Sequence, residues 1–140
     1  ISDELLFPPF VFKLNEFTPG ELKAIGYIDG NEVASHSVET PGKASKIELS
    51  VDFSGKELAA NTPDLVFIYA KILDENGNLV PTADNPVKFT LEGSNAELIG
   101  PENITEAGIT TVLLRTESFS DALKISASSE GLEDDQLIIE

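Results

Sequence analysis

What most constrains this chain is a strict alternation of apolar and polar side chains, repeated in runs no longer than a single strand. Ile47, Leu49, Val51 and Phe53 alternate with Lys46, Glu48, Ser50 and Asp52. An extended backbone sends the first set to one dry face and the second to a wet one. Phe10, Phe12 and Leu14 alternate in the same way with Val11 and Lys13. Both apolar sets are therefore expected in a core. No window of helical length carries apolar residues at i, i+3, i+4 and i+7, so helices are not expected as the main elements.

The same pattern continues along the chain. Residues 65–73 are apolar at both parities, with Val66, Ile68, Ala70 and Ile72 expected inside and Phe67 and Tyr69 on the opposite face. Two-sided apolarity marks a central strand or a face pressed against a neighbour. Asn76-Gly77 is expected to make a type I′ hairpin turn. Val87, Phe89 and Leu91 alternate with Lys88 and Thr90, and further short strands are expected at 96–99, at 109–115 with Val112 and Leu114 inward, at Leu123-Ile125-Ala127, and at 137–139. Short strands punctuated by Gly, Asn and Pro predict an antiparallel β-sandwich. Ser54-Gly55-Lys56-Glu57 matches a helix capping box, but with Pro63 close behind only one turn could form, and an extended edge segment is expected there instead.

Nearer the N-terminus, residues 21–28 and 32–40 are two extended runs separated by Asp29-Gly30-Asn31. An Asp-Gly step between strand-forming runs predicts a hairpin, because such turns need positive φ at low steric cost. Pro19-Gly20 and Pro41-Gly42 bracket it.

A chain of 140 residues suits one domain or two small sandwiches. It can bury about 68–70% of the surface its unfolded form exposes, enough for a core without staples. There is no cysteine, which excludes disulfides, a thiolate nucleophile and cysteine-ligated zinc. With no methionine and an Ile1-Ser2-Asp3 start lacking a basic, signal-like segment, the chain reads as a piece of a longer polypeptide. The longest apolar run, residues 65–70, is the size of a strand, not of a membrane span. The 25 acidic against 9 basic residues give a net charge of −16, which argues against nucleic acid or an anionic membrane surface as partner.

The block P-G-E-L-K-A-I-G-Y-I-D-G-N-E-V-A over residues 19–34, followed by E-T-P-G and the strand 45–53, resembles part of a known family. It is similar to the closing half of the immunoglobulin-like domain that follows the catalytic barrel in bacterial glycoside hydrolase family 2 enzymes, the β-galactosidase-like group. The block D-L-V-F-I-Y-A-K-I-L-D-E-N-G-N-L-V-P-T-A-D-N-P-V-K-F-T-L-E-G over residues 64–93, with A-G-I-T-T-V-L-L-R-T and K-I-S-A-S-S-E-G-L, resembles the last immunoglobulin-like domain of such enzymes. More loosely, it resembles invasin-type adhesins. The resemblance implies an all-β chain of immunoglobulin-like antiparallel sandwiches, a partial one over 1–53 and a complete one over 54–140. Only about four strands precede Ser54 where such a sandwich holds about seven, so strand pairing or a homo-oligomer through the incomplete domain is expected. Many family members carry a longer glycine- and asparagine-rich loop after the strand ending near Ile99. This chain has only Gly100-Pro101-Glu102-Asn103 there.

By the same resemblance the parent is a secreted or periplasmic retaining glycoside hydrolase whose two catalytic carboxylates sit on a (β/α)₈ barrel. Neither falls on this chain, and no catalytic residue, cofactor or metal site is expected here. The expected partners are the barrel and other domains of the parent, with an oligosaccharide as a further candidate. A carbohydrate-binding module and an adhesin or spacer domain are the alternative functions.

Individual candidates are few. His36 is the only histidine, and alone it cannot build a typical zinc site; a packed or half-exposed strand position is expected. Residues 74–78 offer oxygen ligands but miss the calcium-loop spacing, and the acidic stretch 130–135 reads as a solvated turn. Tyr27, Phe67 and Tyr69 are the candidates for a sugar or domain contact. Domain packing is favoured, since only two tyrosines and no tryptophan are present. Asn103-Ile104-Thr105 is a glycosylation sequon.

Overall fold

A computed structural model describes residues 10–16, 18–55, 58, 62–117 and 122–140, and the described residues contain strands and no helix. The strands are β1 (Glu21–Ile28), β2 (Asn31–Glu39), β3 (Lys46–Asp52), β4 (Asp64–Leu73), β5 (Pro86–Glu92), β6 (Ala96–Ile99), β7 (Glu102–Ile104), β8 (Ile109–Thr116), β9 (Leu123–Ser128) and β10 (Asp135–Ile139). The chain divides into two compact units, Ile1–Thr40 and Pro41–Glu140.

The second unit is an antiparallel β-sandwich. One sheet has the order β3-β4-β8-β6 and the other β10-β9-β5-β7. Successive strands cross from sheet to sheet between β4 and β9, so neither sheet can form without the other. The inward residues are those expected from alternation. Val66, Ile68, Ala70 and Ile72 of β4, Val112 and Leu114 of β8, Val87 and Phe89 of β5, and Leu123, Ile125 and Ala127 of β9 are all buried in one core. Each fully buried Leu, Ile, Val or Phe contributes about 1.5–3 kcal/mol through the apolar area removed from water.

The turns follow the positive-φ residues. Asp29 (φ 50°) and Gly30 (φ 81°) form the β1–β2 turn, and Ala107 (φ 52°) and Gly108 (φ 76°) form another between Glu106 and Ile109. Consecutive positive φ values are the signature of type I′. At Asn76-Gly77 the expected type I′ turn is replaced by a three-residue loop. Only Gly77 has positive φ, and its N–H donates to the Asp74 carbonyl while the Asp74 N–H donates to the Asn78 carbonyl.

Two further expectations are displaced. The division falls at Thr40/Pro41 and not at 53/54, because β3 pairs with β4 from Lys46↔Leu73 to Asp52↔Phe67 and its Ile47 and Leu49 enter the second unit's core. Phe10, Phe12 and Leu14, expected in a core, belong to no strand and are exposed, and Phe53 is exposed as well. Their alternation has no facing sheet among the described residues to bury it. The segment 56–61 around the capping-box motif lies outside the described residues apart from Leu58. One strand had no counterpart in the sequence reading: β7, three residues long, which pairs with β5 over Pro86↔Ile104 to Lys88↔Glu102.

The described strands of the first unit form a hairpin. β1 and β2 pair from Glu21↔Glu39 to Ile28↔Asn31 with a bulge at Gly26/Tyr27, and every residue of both strands is exposed.

Two adjacent leucines test which face is dry. Leu114 is fully buried while Leu113 points outward. Urea denaturation is expected to show Leu114→Ala losing about 2–5 kcal/mol, with Leu113→Ala losing clearly less. Gly108 tests the backbone: a methyl there would collide with the Val80 carbonyl, whereas one at Gly131 (φ 78°) meets open space. Gly108→Ala is expected to lower the unfolding midpoint well below that of Gly131→Ala, since both meet the φ penalty and only one meets the clash.

Candidate functional site

The arrangement of exposed side chains with most chemical character lies on the outer face of the β3-β4-β8-β6 sheet. The core set of β4 occupies even positions, so Leu65, Phe67, Tyr69 and Lys71 face out. Register then fixes their neighbours. Phe67 lies between Asp52 of β3 and Leu113 of β8, and Leu113 in turn lies beside Ile99 of β6. Tyr69 lies between Ser50 and Thr111. The Phe67 and Tyr69 rings are 6.4 Å apart between centroids and tilted by 49°. Leu65 is 55% exposed, Phe67 49% and Ile99 45%. Two ion pairs stand at the ends of this apolar stretch, Lys71–Glu48 at 3.4 Å and Arg115–Glu97 at 2.7 Å. Both are solvent-exposed, so each contributes roughly 0–1 kcal/mol; their more certain effect is to neutralise the charges bordering the patch.

The remaining candidates are placed elsewhere. Tyr27 and His36 belong to the hairpin, where both are exposed and His36 lies opposite Ala24. Thus β4 brings Phe67 and Tyr69 together, while Tyr27 is on the other unit. Asn103 donates through Nδ2 to the carbonyls of Gly100 at 2.6 Å and Thr111 at 3.0 Å. The sequon nitrogen is therefore spent on holding the short 100–103 loop against β8. Among the described residues, no group of three or more His, Cys, Asp or Glu side chains could hold a metal.

Asp74 has a structural task that its sequence neighbours did not reveal. It is 2% exposed, and its carboxylate accepts the Gly42 N–H and the Asn78 N–H, each at 2.8 Å, and the Asn78 Nδ2 at 3.3 Å. The Gly42 N–H does most to hold its pKa below the ordinary 3.8; burial pushes the other way, and the Asn78 and Asn76 groups add to the lowering. These bonds clamp the entry to β3 against the loop that follows β4. A surface groove beside β7, lined by Pro86, Lys88, Glu102, Ile104, Glu130 and Asp134, is the other notable hollow. Glu102 there is paired with Lys88 at 3.6 Å.

Comparison with known proteins decides the family. Residues 47–138 match the model for the glycoside hydrolase family 2 C-terminal domain 5. The chain belongs to this family. The matched span begins inside β3, in accord with β3 being part of the sandwich. A β-galactosidase from Thermoanaerobacter pseudethanolicus is 34% identical over 132 residues, covering 87% of this chain and 17% of the relative. The β-galactosidase BoGH2A from Bacteroides ovatus is 34% identical over 130 residues, covering 84% of this chain and 15% of the relative. A crystal structure of a glycosyl hydrolase family 2 member from Bacteroides cellulosilyticus superposes with a TM-score of 0.74 at 26% identity, over 89% of this chain and 19% of that one. The family 2 C-terminal domain is thus a small part of its relatives, and its immunoglobulin-like antiparallel sandwich is the fold expected from the sequence.

Asp74 yields a pH prediction. A carboxyl whose folded pKa is depressed binds fewer protons in the folded state, so its stabilisation is present above the unfolded value near 3.8 and is lost as pH falls through the folded pKa. The stability difference between the native chain and Asp74→Ala is expected to be constant at neutral pH and to shrink below about pH 4. Denaturation midpoints measured across that range check it; a difference that grows on acidification would contradict the assigned bonds.

Proposed function

We propose that this chain is the non-catalytic C-terminal portion of a secreted or periplasmic family 2 glycoside hydrolase acting on β-galactosides or related glycans. The observation that carries the reading is family membership together with length: the matching β-galactosidases devote 17% and 15% of their length to this region. Hydrolysis would then be done elsewhere in the polypeptide, by an acid/base carboxyl and a nucleophilic carboxylate on a barrel, with retention of configuration. The role of this portion is mechanical, packing against the other domains and shaping access to their cleft.

The hairpin supports such a role. An isolated two-stranded hairpin is marginal in water, and β1 and β2 pair only with each other among the described residues. Leu22, Ile25, Tyr27, Ile28, Val33 and Val38 are exposed on it. In the whole enzyme these strands would complete the preceding immunoglobulin-like domain or pair with a second subunit. Full-length protein is expected to release nitrophenol from a chromogenic β-galactoside, with no turnover by the 140-residue piece. Deleting the piece is expected to lower the melting temperature or change the oligomeric state of the enzyme. An enzyme unaltered in activity, melting and mass by that deletion would contradict the proposal.

A second reading, carbohydrate binding, draws on the exposed Phe67 ring and the half-buried Tyr69 ring of one strand face. The 49° tilt leaves no flat platform for a sugar ring, which favours packing. Titration calorimetry with galactan-type oligosaccharides separates the two, since binding heat is expected only under the second.

A further inference from the structure

The outer faces of the two sheets differ in kind. On β9 and β5 the outward residues are Lys124, Ser126 and Ser128 beside Lys88, Thr90 and Glu92, laced by Lys88–Glu102 and Lys124–Glu92 pairs at 3.6 Å. The middle of that face suits water, and its two exposed isoleucines, Ile104 of β7 and Ile138 of β10, stand apart on the opposite edge strands. On the opposite sheet, Phe67, Leu113 and Ile99 form one row across three strands, with Leu65 and Tyr69 alongside Phe67. Leu65, Phe67 and Ile99 are about half-exposed, and Leu113 and Tyr69 are half-buried, so part of the stabilisation that burial would give is forgone; contiguous patches of this sort mark contact surfaces.

We infer that this row is the docking surface for a protein surface contributed by the part of the polypeptide outside these 140 residues. The inference rests on the proposed reading of the chain as one domain of a longer hydrolase, and it names the face and the occupant. Three observations select that occupant. The matching relatives are far longer, this region being 17% and 15% of them, so a covalently linked partner is present at high effective concentration. Two bordering charges are matched within the face by Lys71–Glu48 and Arg115–Glu97, and the Asp52 carboxylate beside Phe67 accepts the Ser54 N–H at 2.8 Å, which suits a partner surface that is largely uncharged. A second copy would instead bring −16 against −16 and be repelled. Finally, a sugar site combines ring stacking with placed hydrogen-bonding groups, whereas Phe67 is followed across β8 and β6 by Leu113 and Ile99, with Asp52 of β3 on its other side, an apolar run bordered by a polar rim.

Thiol labelling of the full-length polypeptide tests this. Single variants F67C and I99C on the apolar face, and T90C and I138C on the other sheet, are reacted with a maleimide in native buffer and in urea, each corrected for the unsubstituted protein. This chain itself contributes no cysteine background. The native-to-urea rate ratio is expected to be lower by roughly tenfold or more for F67C and I99C than for T90C and I138C. Equal ratios overturn the inference. Protection that disappears on dilution assigns the face to a second copy, and protection that appears only with added galacto-oligosaccharide assigns it to sugar; either result also overturns it. Turnover of a chromogenic β-galactoside by the same samples reads the proposed function separately. Turnover with reactive F67C removes the docking surface alone, and protected F67C without turnover supports the surface while removing the hydrolase assignment.

Discussion

The two-sided pairing of β4 is the constraint on which the rest of the structure depends. It is hydrogen-bonded to β3 along one edge and β8 along the other, so its register is set twice. A slip of one residue against either neighbour would carry Lys71 and Tyr69 into the core and expel Ile68 and Ile72. That price in buried charge and lost apolar area is far larger than any single surface contact can offset. With β4 fixed, Val112 and Leu114 of β8 are aligned with Ile68 and Val66, and the second sheet closes over them.

Polar groups then hold the ends of the sandwich. Asp74 ties the loop after β4 to Gly42. The Leu49 N–H on the open edge of β3 donates to the Asp135 carboxylate at 2.7 Å, and the Ile47 N–H donates to the Glu133 carbonyl. These bonds use up an edge that would otherwise be available to another strand. The buried Thr105 hydroxyl donates to the Ala83 carbonyl in the same manner. The hairpin of the first unit is closed at its open end by the Thr40 N–H to the Gly20 carbonyl and the Gly20 N–H to the Thr40 hydroxyl, but its large apolar side chains are exposed. Among the described residues, the second unit has a closed core and the first has none.

Features decided by local period were legible in the sequence, and features decided by distant partners were not. The inward residues of β4, β5, β8 and β9 follow directly from alternation, because each has a sheet opposite to bury it. Phe10, Phe12 and Leu14 carry the same pattern, yet alternation does not say whether a facing sheet exists. The assignment of β3 to the second unit rests on Ile47↔Ile72 and Leu49↔Ala70, pairings that nothing within residues 45–53 announces. The loop at Asn76-Gly77 departed from type I′ because Asp74 bonds the Asn78 N–H as well as Gly42, far away in sequence. Half of the candidate surface could be read directly: residues 65–73 are apolar at both parities, which placed Phe67 and Tyr69 outside. The other half, Leu113 and Ile99, becomes a row only once β8 and β6 take their register.

Pro41–Glu140 is thus a small sandwich of a family of C-terminal domains, with contiguous exposed apolar side chains on one outer face and isolated ones at the edges of the other. With β3 included, it folds as one cooperative unit separate from the hairpin. Native-state hydrogen exchange on the 140-residue chain tests this most directly. The amides of β3 that face β4 are expected to exchange with the same opening free energy as those of β4 and β8, while amides of β1 and β2 exchange faster. Amides of β3 opening together with the hairpin, independently of β4, would contradict it.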